Sequence, residues 1–525
     1  MVSGVLGDLS ITVLGCPRFA NPKSPFCHPF PLVSVARAGY HSVMPENTHE
    51  QPGAVTARKA LAINLDRSAY GVFAEIGAGQ EVVRHFFKAG GASGTVAKSM
   101  SAYDMRVSDA IYGHPQRYVS RERLEQMMEH EYGLLVDRLA TERDASTRFF
   151  AFADTVATTP HDGKGQGHSW MGMRFQSEPG AAPSDVILHL RLWDRDAGRQ
   201  QDALGMVGVN LIHAALHQRS SIDEFVQAII EDVGAGRVEV DFVHFSGPGF
   251  PGFDNRTALV RLVRLGLTDA VLFDERGLPA VAGEFFYKKS VLVARGTFRP
   301  LSLVNEDMIS CAQGAQPPSA DTITLYEMCV GQENASEEEI DARISLVAAV
   351  GRPLLVTRHR GWYRLPAYFR LHTTGDVTLI AGMNNLVDLF NPAHYTHLEG
   401  GVLEACGRLF KDGVKVMVYP MRGDQLRRLI SDPVACLVCF PETYQVALDA
   451  VVTAADVQVR PKVAGLFEHL RNNGFLIPIT GASPAALACQ PRTLAERIRQ
   501  GYVGWEKEVP PEVAVEIKRS KRWFS

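Results

Sequence analysis

From Leu61 onward, apolar runs of strand length alternate with stretches in which apolar residues recur at helical spacing. The segment AINLDRSAYGVFAEIGAGQEVVRHFFKAGGASGTVAKSMSAYDM predicts a strand that breaks into Gly77-Ala78-Gly79, and then a helix from near Gln80. Residues 120–143 predict a long helix, with Ser120 as its cap and Leu124, Met127, Met128, Leu134, Leu135 and Leu139 on its apolar side. RFFAFADTVA, HSWMGMRFQ and DVILHLRLWD predict strands. Helices are expected over 200–217 and over 223–232, the second capped by Ser220 or Ser221. In RVEVDFVHFSGPGF, strict alternation would put Val238, Val240, Phe242 and His244 on one strand face and Phe245 on the other. A helix over 254–266 then leads to the strand DAVLFDE, and so compact a helical connection predicts that the two strands pair in parallel. FFYKKSVLVARG predicts one more strand of the same unit.

The stretch AQGAQPPS, residues 312–319, has linker composition. Past it, Ser336 and Glu339 form a capping box, Gly351 marks a helix end, and RPLLVT, DVTLIAG and VKVMVYP read as strands, the last two separated by a helix near 398–410. The expected class is α/β: two α/β units with mostly parallel or mixed sheets flanked by helices. Their bounds are 51–305 and 321–525, with a linker over 306–320 and a helical tail. Residues 1–50 break the pattern, being rich in Pro, Ser and Gly and poor in acids. They read as a mis-assigned start with translation from Met44, a disordered extension, or a transit peptide.

Composition narrows the class. The 525 residues are 46% hydrophobic and 21% charged with a net charge of −4, so the chain lacks the basic excess of a nucleic-acid binder. No apolar run reaches the ~18 residues of a membrane helix. The eight cysteines are too sparse for a disulfide framework, which fits a cytoplasmic setting.

Chemistry concentrates first at Gly77, Gly79 and Gly94. Backbone amides near a helix start there could cradle phosphate, Lys98 could add charge, and Ser99 a hydroxyl. Ala92 and Ala97 stand where a Walker A loop needs glycine, and Val82 where the dinucleotide fingerprint does. A second cluster sets the loop 246–250 before Asp254, Asn255 and Arg256; Arg256 could fork onto phosphate, and Asp254 could cap the helix instead. A third is Tyr287-Lys288-Lys289 with Arg295 and Arg299, Lys288 being the cation that could enter a cleft. His161, His168 and Trp170 in HDGKGQGHSW read as mobile surface or as a closing loop. Three features read as bland: His394-x-x-His397-x-Glu399 as a surface turn, Cys436-x-x-Cys439 as buried thiols, and 358–364 as a solvated loop or anion pocket. There is no Gly-x-Ser-x-Gly elbow.

The run NLDRSAYGVFAEIGAGQEVVRHFFKAGGASGTVAKSMSAYDM, with RYVSRERLE, FFAFADT, DNRTALVRLVRLGLTDA and YKKSVLVARGTFRP, resembles an uncharacterised bacterial family over most of 60–500. Its members carry inconsistent names, including nicotinate-nucleotide adenylyltransferase and TonB-dependent receptor. The receptor name would require a signal peptide and many barrel strands. The adenylyltransferase name would require an early His-x-x-His or His-x-Gly-His motif, where this chain has Gly77-Ala78-Gly79-Gln80-Glu81. The resemblance implies a shared fold and transfers no catalytic residue.

The expected function is a cytoplasmic enzyme that binds a nucleotide or other phosphorylated metabolite, for nucleotidyl or other group transfer. Glu81, Asp104 and Asp254, with Glu75, are the candidates to supply a base or hold Mg²⁺; Gly77, Gly79, Gly94, Lys98, Ser99, Asn255, Arg256 and Lys288 are the candidates to hold substrate. The alternative is a non-catalytic ligand sensor or scaffold.

Overall fold

The computed structural model describes residues 53–525 except 160–164, 235, 317–318, 332–333, 521–522 and 524–525. The expectations for residues 1–50 and for His161 therefore lie outside the described residues, as does that for the side chain of Cys436. Residues 51–525 form one compact unit. It is an α/β structure built on two sheets.

The first sheet has six strands: β1 (Ala69–Gly77), β2 (Val96–Met100), β3 (Arg148–Ala157), β4 (Gly167–Gln176), β5 (Pro183–Leu192) and β6 (Val238–Ser246). They lie in the order β2-β1-β3-β4-β5-β6. β1 pairs in parallel with β2 and β3, and the remaining neighbours are antiparallel. The helices are α1 (Ala54–Leu65), α2 (Val82–Ala89), α3 (Met105–Tyr112), α4 (Arg121–Leu139), α5 (Ala197–His217), α6 (Ile222–Ile229) and α7 (Asn255–Leu265). One sheet face packs Phe73, Phe152, Met171 and Leu188 against Ile63 of α1, Val82 and Phe86 of α2, and Leu204 of α5. The other packs Ala74, Ala153, Trp170 and Phe242 against Tyr112 of α3 and Leu124 and Met128 of α4. Because helices cover both faces, these strands read as continuous apolar runs rather than as clean alternation.

The second sheet is formed by β7 (Ala270–Phe273), β8 (Pro279–Ala280), β9 (Ser290–Arg295), β10 (Thr322–Cys329), β11 (Leu354–Thr357), β12 (Val377–Gly382) and β13 (Lys415–Tyr419). After a short ribbon of β14 (Met421–Arg422) and β15 (Val451–Val452), it is completed by β16 (Leu476–Pro478). Its order is β16-β13-β12-β9-β10-β11-β7-β8, parallel except at β11–β7 and β7–β8. An apolar core continues from the first sheet through Leu259 and Val263 of α7 to Val271, Tyr326 and Val356 of the second.

Three expectations are corrected. β6 and β7 do not pair: they belong to different sheets, and β7 runs antiparallel to β11. The residues read as a linker carry the helix Leu303–Ala315, with Met308, Ile309 and Ala312 buried, and the sheet draws its strands from both sides of it. The alternation in β6 is interrupted. His189 is opposite Phe242 and Leu190 opposite Val240, so Asp241 is an extra residue and Val240 and Phe242 enter different cores.

Candidate functional site

The carboxyl ends of β1 and β3 hold two buried acids. Glu75 and Asp154 are register partners, 1% and 0% exposed. Glu75 turns to the start of α2: Oε1 accepts the amides of Val82 at 2.8 Å and Gln80 at 3.2 Å, and Oε2 accepts that of Val83 at 3.2 Å. It thus fills the capping role that α2 lacks, since the side chain of Glu81, at the cap position, accepts none of the helix-start amides. Neither oxygen of Asp154 has a hydrogen-bond partner among the described residues. Burial raises both carboxyls: Glu75 to about 7, with the charge of Glu81 adding to it against the pull of the Val82 and Val83 amides, and Asp154 further still through the charge of Glu75. Three amides favour the ionised form of Glu75, whereas Asp154, with no donor on either oxygen, is the more readily protonated of the two.

The loop above this pair has a steric task. Gly77 adopts φ +77°, and a methyl group on Gly79 would overlap Asp154 Oδ1. Gly94 ends a short 3₁₀ turn before β2, where Lys98 and Ser99 are exposed. Lys98 binds Glu131 of α4, whose side chain is buried and also accepts the hydroxyl of Tyr112 at 2.7 Å. Glu81 pairs with Arg84 at 2.8 Å, and Asp104 caps α3 through the amides of Arg106 and Val107. Glu75, Asp104 and Asp254 thus serve three different helix starts. Among the described residues no group of three His, Cys, Asp or Glu side chains is placed to hold a metal ion.

The second predicted cluster does converge. Asp254, Asn255 and Arg256 line a cleft of about 660 Å³ with Arg121, His244, Phe253, Asp274 and Arg276. β6 and the start of α7 position them. Asp254 caps α7 through the Thr257 amide at 2.8 Å. Asn255 pins β6 by accepting the Phe245 amide at 2.8 Å and donating to its carbonyl at 3.1 Å. Arg256 donates to the Gly277 carbonyl, Asp341 and Ser345. Arg121, which sequence reasoning passed over, holds Glu125 through Nε at 2.7 Å and stacks on Phe242; its terminal nitrogens have no partner among the described residues. Burial and Arg121 hold His244 below its ordinary value, so it is neutral at pH 7. The first-turn amides of α7 have no intrahelical acceptor, which suits this end of the helix to a negative group.

Other segments differ from their sequence reading. His168 and Trp170 lie in β4, not in a surface loop, and Trp170 is 1% exposed, because β4 is an interior strand with cores on both faces. In 358–364, His359, Trp362 and Tyr363 are buried while Arg358, Arg360 and Arg364 are exposed, so the segment is a loop whose rings enter the core and whose arginines remain at the surface. His397 bonds the Tyr363 hydroxyl at 2.7 Å, and Cys439 is a buried free thiol. Lys288 is exposed on the Tyr287 ring, while Lys289 pairs with Asp321 at 2.8 Å. Among the described residues no helix is long and apolar enough to cross a membrane.

No protein-family description and no curated protein sequence matches the chain. Among solved structures it has a partial likeness to the competence/damage inducible protein CihA from Agrobacterium tumefaciens, with a TM-score of 0.24 and 15% identity, covering 32% of this chain and 98% of that one. A second likeness is to a competence or damage-inducible protein from Enterobacter asburiae, with a TM-score of 0.22 and 13% identity, covering 30% of this chain and 95% of that one. The CinA superfamily protein from Enterobacter cloacae gives a TM-score of 0.22 at 14% identity, covering 37% of this chain and 99% of that one.

Proposed function

We propose that the protein is an enzyme that binds a nucleotide or other phosphorylated metabolite in the cleft at the start of α7, for group transfer. The observation that carries this reading is Arg121. It reaches a cleft of about 660 Å³ with both terminal guanidinium nitrogens unpartnered among the described residues. A guanidinium presents a fork that matches two phosphate oxygens, and a helix N-terminus adds favourable dipole. The volume suits a ligand of nucleotide size. Neutral His244 is the group on the cleft wall suited to accept a proton, whereas Asp254 is engaged as a cap.

The test is a thermal-shift screen of nucleotides, dinucleotides and sugar phosphates, with and without Mg²⁺, on the native chain and on Arg121→Ala. A ligand at about a hundred times its Kd adds about 2.7 kcal/mol of stability. A selective shift that Arg121→Ala abolishes supports the reading. A flat panel favours a non-catalytic scaffold. One observation already leans that way: Lys98, Asp104, Asp254 and Arg256 all hold structural partners.

A further inference from the structure

The lining of the α7 cleft is balanced in charge. Arg121, Arg256 and Arg276 share it with Asp254, Asp274 and Asp341. Arg256 is held by Asp341 at 3.2 Å and by the Gly277 carbonyl at 2.7 Å. Arg276 lies 3.2 Å from Asp274, whose carboxylate also accepts the amides of Arg276 at 2.9 Å and Leu278 at 2.8 Å. Arg121 uses Nε for Glu125 and keeps its terminal fork unpartnered among the described residues.

This balance limits how much negative charge the cleft takes up. A fork of N–H donors matches the oxygens of one phosphoryl group. A second or third phosphate would find the other two guanidinium groups already facing carboxylates, and three aspartates that repel it. Among the described residues these acids are not grouped to hold a metal ion that would offset the added charge.

The same cleft carries apolar surface. Leu278 is 46% exposed and Phe253 half-buried, and both line it together with Pro279. Clefts that bind small molecules combine such surface with a few polar groups that fix orientation. The Phe253 ring is held edge-on to Phe245, with centroids 5.0 Å apart, and lies 5.4 Å from Phe250. A ring fixed by its neighbours loses little freedom when a planar ligand packs on it. A bare sugar phosphate, polar all round, has nothing to set against it.

We infer, building on the reading of this cleft as a phosphate site, that its ligand is a monophosphate ester carrying a planar ring system. The phosphoryl group lies in the Arg121 fork, and the ring lies against Phe253 and Leu278. Nucleoside monophosphates and aryl phosphates have this chemistry. Sugar phosphates lack the ring, and nucleoside di- and triphosphates carry charge that the lining does not match. Phe253 and Leu278 set specificity, while Arg121 sets affinity for phosphate.

Isothermal titration calorimetry of the full chain with AMP, phenyl phosphate, ribose 5-phosphate and ATP, without divalent metal, tests this. AMP, phenyl phosphate or both should bind at least about fivefold more tightly than ribose 5-phosphate, the low end of what stacking a base on an aromatic ring contributes. ATP should bind no more tightly than AMP. Preference for AMP alone marks a nucleotide site, and for both a site indifferent to the sugar. Leu278→Ser, at an exposed position, and Phe253→Leu, which keeps apolar bulk against Phe245 and Phe250, should each remove most of the advantage and leave ribose 5-phosphate binding as it was. An advantage that survives both substitutions overturns the inference. So does ribose 5-phosphate binding as tightly as the ring-bearing esters, or ATP binding more tightly than AMP, while the phosphate cleft itself stands. Binding of none of the four, or binding that Arg121→Ala leaves undiminished, overturns the cleft reading as well.

Discussion

Glu75 and Asp154 face each other across adjacent parallel strands, one holding three backbone amides and the other none. Their carboxyls titrate higher in the fold than in the unfolded chain. A raised acid contributes stability at pH below its unfolded value, and that stability is lost as pH rises through its folded value, here about 7 for Glu75. Urea denaturation should therefore show the native protein weakening by about 2 kcal/mol between about pH 5 and pH 8 from this pair. Glu75→Gln, which removes the carboxyl that titrates near pH 7, should flatten that slope whatever its absolute stability. Parallel pH profiles for the two proteins would refute the assignment.

Gly79 is small because Asp154 lies against it. Gly79→Ala should cost about 1–3 kcal/mol by overpacking. Adding Asp154→Ala should return part of the loss, since the crowded oxygens are gone. A strictly additive double mutant would show that the two residues are uncoupled.

Lys98 is half-exposed, but its partner Glu131 is buried between α4 and Tyr112. Lys98→Ala should destabilise by about 1 kcal/mol, a figure kept low by solvent screening of the lysine. Lys98→Ala/Glu131→Gln should recover stability, because no uncompensated carboxylate remains. Melting curves of the two variants decide this. If Lys98→Ala leaves the melting temperature unchanged, the ion pair is without structural weight.

Asn255 and Arg121 line the same cleft and should separate stability from binding. Asn255→Ala breaks two bonds to the β6 backbone and leaves buried peptide groups unpaired, a loss of about 2 kcal/mol. Arg121→Ala should cost less than about 1 kcal/mol, the loss of a partly exposed ion pair with Glu125 and of its stacking on Phe242. Equal destabilisation by both would mean that Arg121 is a structural strut.

Local signals were legible along the chain. Ser120, Ser221, Asp254 and Ser336 are the side-chain caps of their helices, as their spacing before apolar periods indicates. Asp254, Asn255 and Arg256 also sit where a ligand cleft forms, at the carboxyl end of a strand. The α/β class followed from alternating periodicity alone.

Other features depend on residues far apart in sequence, and tertiary structure decided them. Asp154 draws its meaning from Glu75 on a strand nearly eighty residues away, and Val240 and Phe242 enter different cores through a bulge in β6 that alternation cannot display. Strands that follow one another went to different sheets, because a strand's partner is chosen by which faces are buried together. Capping and periodicity act within a few residues and so can be read from the sequence. Register, carboxyl protonation and sheet membership arise only when distant segments exclude water from a common core.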